Sequence, residues 1–451
     1  VYLKGRTRTR EARAIQDAGG TRTELPPAGA GDPGPGPVGS RSLWRTAGFG
    51  PFWGASTVSL LGDRITLLAI PFAAIALHAS ALEVAALSTV NFLPWLLLGV
   101  FAGVAVDRSA RYRKVMVWAD LGRAVLLVSV PAAAAAGVLS YGQLLAVALL
   151  AGVFTVFFQA ASSALLPKLV GAGRLPEANA KLSASSSVMT IAGPGAAGLL
   201  VQAFTAPFAI VADALSFLVS ASLLRQVRSA RLEPAARTRR PFWLDLREGL
   251  RYVVRDPVLR AFMGQATTGN LGTSMNGAIV VLFAVRQLHL AAGQIGLATA
   301  VFGVGGVVAS FTANRIARRL GVGRVIAASC AGAGAGALLI GLTTGSAWLV
   351  LGTLAAAYLL WGFSMTAYAI VAASLRQIMT REGMRAQTTS TLNVAVSGVI
   401  PLGAILGGLL ATWFGLRTPV LVAGGLMLVS VLWIVYSPVI RVRTMPAAQD
   451  G

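Results

Sequence analysis

The stretch GVAVDRSARYRK, residues 103–114, closes an apolar run and then brings Asp107, Arg108, Arg111, Arg113 and Lys114 together. In a soluble protein such a burst is a solvated loop. This chain is 55% hydrophobic and only 12% charged, so the burst needs another reason. Apolar runs of about 20 residues recur on both sides of it, each long enough to cross a hydrocarbon layer about 30 Å thick. The mean hydropathy is +0.72. The sequence therefore reads as an all-α, polytopic membrane protein with about twelve transmembrane helices. The burst is the polar turn between the second and third of them.

The spans are predicted at about 50–77, 83–106, 115–138, 143–166, 182–203 and 207–225, then 261–286, 293–314, 324–343, 347–372, 388–412 and 417–437. This gives a disordered tail over 1–45, a six-helix half over 46–225, a basic connector over 226–260, a second half over 261–437 and a tail over 438–451. No apolar core precedes the first span, so the N-terminal segment does not read as a signal peptide.

The net charge of +22 would point to nucleic acid in a soluble domain. Here the basic residues occupy alternate connectors. They include Arg108, Arg111, Arg113 and Lys114, then Lys168, Arg174 and Lys181, and ten arginines from Arg225 to Arg260. Arg315, Arg318, Arg319 and Arg324 follow, then Arg376, Arg381 and Arg385, whereas the opposite connectors carry Arg286 and Arg417. The positive-inside rule places both termini in the cytoplasm and removes nucleic acid as an expected partner. Abundant Ala and Gly, with Arg well ahead of Lys, match a GC-rich bacterial genome and hence a bacterial inner membrane.

The chain repeats itself. GLL at 198–200 recurs at 408–410, Gly173, Gly193 and Phe204 match Gly383, Gly403 and Phe414, and DRSARY (107–112) matches NRIARR (314–319). Two six-helix pseudo-repeat halves follow, with a substrate cavity expected between them at mid-membrane. In the connector, WLDLREGLRYVVRDPVLR (243–260) sets Trp243, Leu246, Leu250, Val253 and Val254 on one helical face among arginines, a pattern suited to anionic membrane lipid.

Cys330 is the single cysteine, and His78 and His289 are the two histidines. No disulfide framework, metal cluster or cofactor is expected, and no phosphate-cradling G-x-x-x-x-G-K-[ST] loop occurs. GAGAG (332–336) lacks the strand that a dinucleotide loop requires and reads as helix packing. No nucleophile–base constellation points to an enzyme.

These residues resemble the major facilitator superfamily. Gly103, Asp107, Arg108, Arg111, Arg113 and Lys114 fill its signature between the second and third helices. SLLGDRITLLAIP (59–71), ALLPKLVGAGRLPEANA (164–180), AGPGAAGLL (192–200), ADALSFLVSA (212–221) and LREGLRYVVRDPVLR (246–260) are similar to the enterobactin-exporter and macrolide-efflux branch. The resemblance spans about residues 45–437 and implies a monomeric secondary transporter. Such a protein exports an amphiphilic small molecule (a drug, siderophore or secondary metabolite) by alternating access, in exchange for protons. Two departures stand out: Ala110 replaces a usual glycine, and the fourth span carries Gln159, Ser162 and Ser163 where many antiporters have an arginine.

Ionisable side chains inside a bilayer cost at least about 2.5–3.5 kcal/mol near its centre, so each is a functional candidate. The last six spans contain no acid. Asp63, Arg64 and Asp213 are the proton-coupling candidates. Ser56, Ser59, Asp63 and Thr66 share one face, and Arg64 or Arg123 is the alternative neutralising partner of Asp63. Gly103, Asp107, Arg108, Arg111, Asp120 and Arg123 form a candidate conformational latch. Ser59, Gln159, Asn270, Ser274, Trp361 and Tyr368 are cavity candidates, with helix packing the alternative. An importer or uniporter, or a membrane scaffold or sensor without transport, remains the alternative function.

Overall fold

A computed structural model describes residues 43–227, 242–380 and 385–444. Its helices are α1 (Phe49–Ala76), α2 (Ala81–Ser109), α3 (Tyr112–Ala135), α4 (Tyr141–Val170), α5 (Leu175–Phe204) and α6 (Ala206–Gln226). They continue with α7 (Phe242–Arg255), α8 (Pro257–Arg286), α9 (Ala292–Leu320), α10 (Val322–Leu342), α11 (Ala347–Met379), α12 (Arg385–Phe414) and α13 (Arg417–Val435). Among the described residues there are no strands, and twelve helices are long and apolar enough to cross a membrane, the short α7 being the exception.

Local chemistry sets the helix starts. Ser80 and Glu83 close a capping box, with Glu83 N–H donating to Ser80 Oγ at 3.2 Å and Ser80 N–H to Glu83 Oε2 at 2.7 Å. Asp256 Oδ1 accepts from the N–H groups of Val258 and Leu259 at 2.8 and 2.9 Å, and Pro257 takes the first helical position. This cap separates α7 from α8, so the seventh span begins at Pro257 and not at residue 261.

The two halves pack alike. α1 lies on α5 and α6, α2 on α4, and α3 on α4 and α6; α8 lies on α12 and α13, α9 on α11, and α10 on α11 and α13. Even the turns correspond, because His78 and His289 both adopt left-handed backbone, at φ 60 and φ 54, between the first two helices of their halves.

The halves meet through α5 against α9 and α2 against α12. A methyl group on Gly198 or on Gly296 would lie 2.9 Å from the other's Cα, so α5 and α9 touch backbone to backbone. Gln202 Oε1 accepts from Gly293 N–H at 3.1 Å, and Arg286 donates to the Ala79 carbonyl at 2.8 Å. All of these contacts lie at the end away from the basic connectors. One core there joins Ile65, Leu68 and Ala197 to Ile279, Phe283 and Ile295. At the basic end the cores are separate. Phe49, Phe52, Met116 and Leu165 belong to one, and Phe262, Ala313, Val322 and Val371 to another. The molecule is closed at one end and parted at the other.

Several boundaries shift from the sequence reading. α2 continues through Asp107 and Arg108 to Ser109, leaving only Ala110 and Arg111 as the turn. Charged side chains at the end of a span extend into the polar layer, so the helix need not stop where the charge starts. Arg113 then ties α3 to α6, donating to the carbonyls of Arg225 and Val227 at 3.2 and 3.0 Å. Of the tail expected over 1–45, residues 1–42 lie outside the described residues, while Leu43–Arg45 forms a short 3-10 helix with Leu43 buried. The expected tail over 438–451 starts with a 3-10 helix, Pro438–Arg441, docked on α10: Val439 is buried and Gly323 N–H donates to the Val442 carbonyl at 2.9 Å.

Ala110 sits at φ 48 in the left-handed region, which costs a residue with a Cβ about 1–2 kcal/mol. Ala110→Gly is expected to raise stability by about 1 kcal/mol in thermal unfolding of the detergent-solubilised protein. A loss of stability would contradict the turn geometry.

Candidate functional site

The buried charges of the first half converge on Arg123 of α3. Its guanidinium pairs with Asp120 one helical turn earlier, lies 3.6 Å from Asp63 Oδ1 on α1, and donates to Thr155 Oγ1 on α4 at 3.5 Å. The rings of Phe217 and Phe158 flank it at 3.9 and 4.7 Å, a cation–π arrangement in a water-poor setting. The second oxygen of Asp120 accepts from Ser220 of α6 at 2.6 Å. A buried charge is tolerated when it is both paired and hydrogen-bonded, and Asp120 meets both conditions.

Asp213 of α6 occupies a second polar pocket. It accepts from Thr66 of α1 and, at 3.1 Å, from Ser216. Gly62 makes the room, because a methyl there would run into Asp213 and Ser216. Asp213 is fully enclosed and held by hydroxyls alone among the contacts described.

Asp63 differs from both. Its side chain is 41% exposed, whereas that of Arg123 is 2% exposed, and their contact uses one oxygen at long range. Asp63 is therefore the member of the cluster that can exchange a partner without dismantling the core. Arg64 next to it reaches Thr190 Oγ1 of α5 at 3.5 Å, and Gly193 lies against its methylenes.

The structure divides the residues expected to form one latch into two groups. Gly103, Asp107, Arg108 and Arg111 lie at the basic end of α2 and its turn. Asp120 and Arg123 sit deeper, Arg123 about 18 Å along α3 from Arg111, and join Asp63.

Among the cavity candidates, Gln159 is exposed on α4. Asn270 donates to the Ala266 carbonyl of its own helix at 2.8 Å. Ser59 is buried, Ser274 packs against Gly403 of α12, and Trp361 is buried with its ring edge-on to Phe302 at 5.9 Å. Ser59 and Trp361 are thus enclosed, while Ser274 is half-buried. Tyr368 lies against the basic-end core of the second half, its hydroxyl without a hydrogen-bond partner among the described residues. Sequence reasoning named Asp213 but missed Phe158, Thr155 and the companions of Asp213 on α6, Ser216, Phe217 and Ser220. The signal for the latter was present, since Asp213, Ser216, Phe217 and Ser220 repeat at helical spacing along one face.

Removing one partner of a buried pair leaves an uncompensated charge. Asp120→Ala is expected to cost about 3–5 kcal/mol in denaturant unfolding of the solubilised protein. Asp63→Asn, at a half-exposed position, should cost about 1 kcal/mol or less. Equal costs would contradict the difference in enclosure.

A family model described as transmembrane secretion effector matches residues 40–449. The chain is 27% identical to the MFS-type transporter YfiS of Bacillus subtilis (strain 168), covering 83% of this chain and 89% of the relative. It is 25% identical to macrolide efflux protein A of Streptococcus pyogenes, over 84% and 93% of the two chains. A 31% identity to the multidrug efflux pump Tap of Mycolicibacterium fortuitum covers 44% of this chain and 50% of the pump. The fold is similar to that of a bacterial homologue of the iron transporter ferroportin crystallised in an inward-facing state, with a TM-score of 0.70, 19% identity and coverage of 88% and 99%. With twelve membrane-length helices in two matching halves, this chain belongs to the transmembrane secretion effector family of major facilitator transporters.

Proposed function

We propose that the protein exports an amphiphilic small molecule from the cytoplasm of a bacterium by alternating access, in exchange for protons. The observation that carries this reading is the unequal closure of the two ends. Among the described residues the halves share a core only away from the basic connectors, and the half-exposed Asp63 lies on α1 within the membrane-spanning part. Basic connectors belong on the cytoplasmic side, so the open end faces the cytoplasm and both termini lie there. The names of two relatives, a macrolide efflux protein and a multidrug efflux pump, support outward transport.

The register of α5 against α9 supplies a route to the opposite state. Gln202 meets Gly293, Gly198 meets Gly296, Gly195 meets Ala300 and Ile191 meets Gly303, an antiparallel series running toward the basic end. Continued, it sets Ala184 opposite Ser310 and Glu177 opposite Arg318. Rocking the halves about the cavity closes this seam and opens the outer one. Glu177, now 3.8 Å from Arg174 and 3.7 Å from Lys181, exchanges partners across the seam. Gly103, Asp107 and Arg108 lie on α2, the helix of the other closing pair, with Arg111 in the turn that follows it, and act with it as the cytoplasmic latch.

Asp63 carries the proton in this account. As a carboxylate it holds the third contact of Arg123; protonated, it gives up that contact and lets a substrate group approach. Asp213 and Asp120, enclosed and hydrogen-bonded, keep the site in register. Expression in an efflux-deficient bacterium is expected to raise tolerance to at least one compound of a broad amphiphile panel. Asp63→Asn should abolish that gain while the protein remains well expressed. Undiminished export by the variant would remove Asp63 from the mechanism, and a panel without any change would remove the exporter reading.

A further inference from the structure

The sequence reading gave α7 one apolar face for the membrane; in the structure that face is divided. Val253 is fully buried and packs with Leu259 of α8 and Leu392 of α12. Gly249, on the same side of the helix, is buried as well. Leu250 and Val254 remain 45% and 43% exposed. Arg247, Arg251 and Arg255 are exposed and follow at helical spacing as a neighbouring stripe. The outer surface of α7 thus presents two parallel rows, one apolar and one of three arginines.

Position decides what meets these rows. Arg255 is followed by Asp256, the cap of α8, and Pro257 opens a membrane span. One residue, Asp256, therefore separates the end of α7 from the start of a membrane helix. Its other neighbour, α12, is a membrane span as well. A helix fixed at the ends of two spans is held at the level of the lipid headgroups. There an apolar row enters the headgroup–acyl boundary, and an arginine row meets phosphates with paired N–H donors.

We infer that α7 is a binding site for anionic phospholipid of the membrane that holds the protein, with Arg247, Arg251 and Arg255 taking the phosphates and Leu250 and Val254 the acyl boundary. The site fastens the basic end of the second half, through α12, to the headgroup plane. It does not depend on transport.

The test uses the full chain with its single cysteine removed (Cys330→Ala) and a fluorophore at Leu250→Cys. The labelled protein is placed in bilayers of phosphatidylcholine alone, or of phosphatidylcholine with a quarter phosphatidylglycerol, each containing a headgroup-quencher lipid. Quenching is expected to be at least twofold stronger in the anionic bilayer. Raising salt to about 0.5 M should weaken it, since exposed charge contacts are screened. Arg247→Gln, Arg251→Gln and Arg255→Gln together should return it to the zwitterionic level. Equal quenching in both bilayers, or quenching that neither salt nor the triple substitution changes, would overturn the site. So would a label reached by aqueous iodide but not by the lipid quencher, which would point instead to a surface for a soluble partner.

Discussion

The contact between Gly198 of α5 and Gly296 of α9 is the constraint on which the arrangement of the two halves rests. Glycine inside a helix costs about 1 kcal/mol relative to alanine, so two such residues facing each other weaken both helices. In return the backbones approach closely enough for dispersion contacts along the seam. Lipid tails are as apolar as the side chains, so no hydrophobic gain drives one membrane helix onto another. Close backbone packing and a few polar ties take that role. Gln202 with Gly293, and Arg286 with the Ala79 carbonyl, are two such ties, and both sit at the closed end. Because the seam tightens at one end, the other end is free to part.

The charged cluster adds a second asymmetry, between halves of the same design. Asp63, Asp120 and Asp213 belong to α1, α3 and α6, while the matching helices α8, α10 and α13 carry no acid. The buried acids of the spans thus all belong to the first half. Within the cluster, enclosure assigns the roles. Asp120 and Arg123 are locked between α3, α4 and α6 by an ion pair, hydroxyls and two aromatic rings. Asp63 keeps one long contact and an open side.

Periodicity and charge made the architecture legible. Twenty-residue apolar runs, alternating basic connectors and the internal repeat were sufficient for twelve helices in two halves. Boundaries were less legible, because hydropathy marks where a membrane ends and not where a helix does. Asp107 and Arg108 are helical for that reason, and Asp256 starts α8 through a cap that hydropathy does not register. At the site, the acids announced themselves by their cost in a bilayer, but their partners did not. Whether Asp63 meets Arg64 or Arg123 depends on how α1 is rotated against α3, which no spacing within either helix encodes. Similarly, Ser59 and Trp361 fit a cavity wall or a packed face equally well by type, and only the neighbouring helices decide.

The central claim is that one seam closes as the other opens, and a wedge with a cross-link tests it directly. With Cys330 replaced by alanine, Ala184→Cys and Ser310→Cys place a thiol on each side of the parted α5–α9 seam. Cross-linking by a short bifunctional reagent should be low in the otherwise unchanged protein. Adding Gly296→Trp forces α5 and α9 apart at the closed end, and the account predicts a several-fold rise in cross-linking at the basic end. A folded wedge variant whose cross-linking stays at the starting level would contradict it.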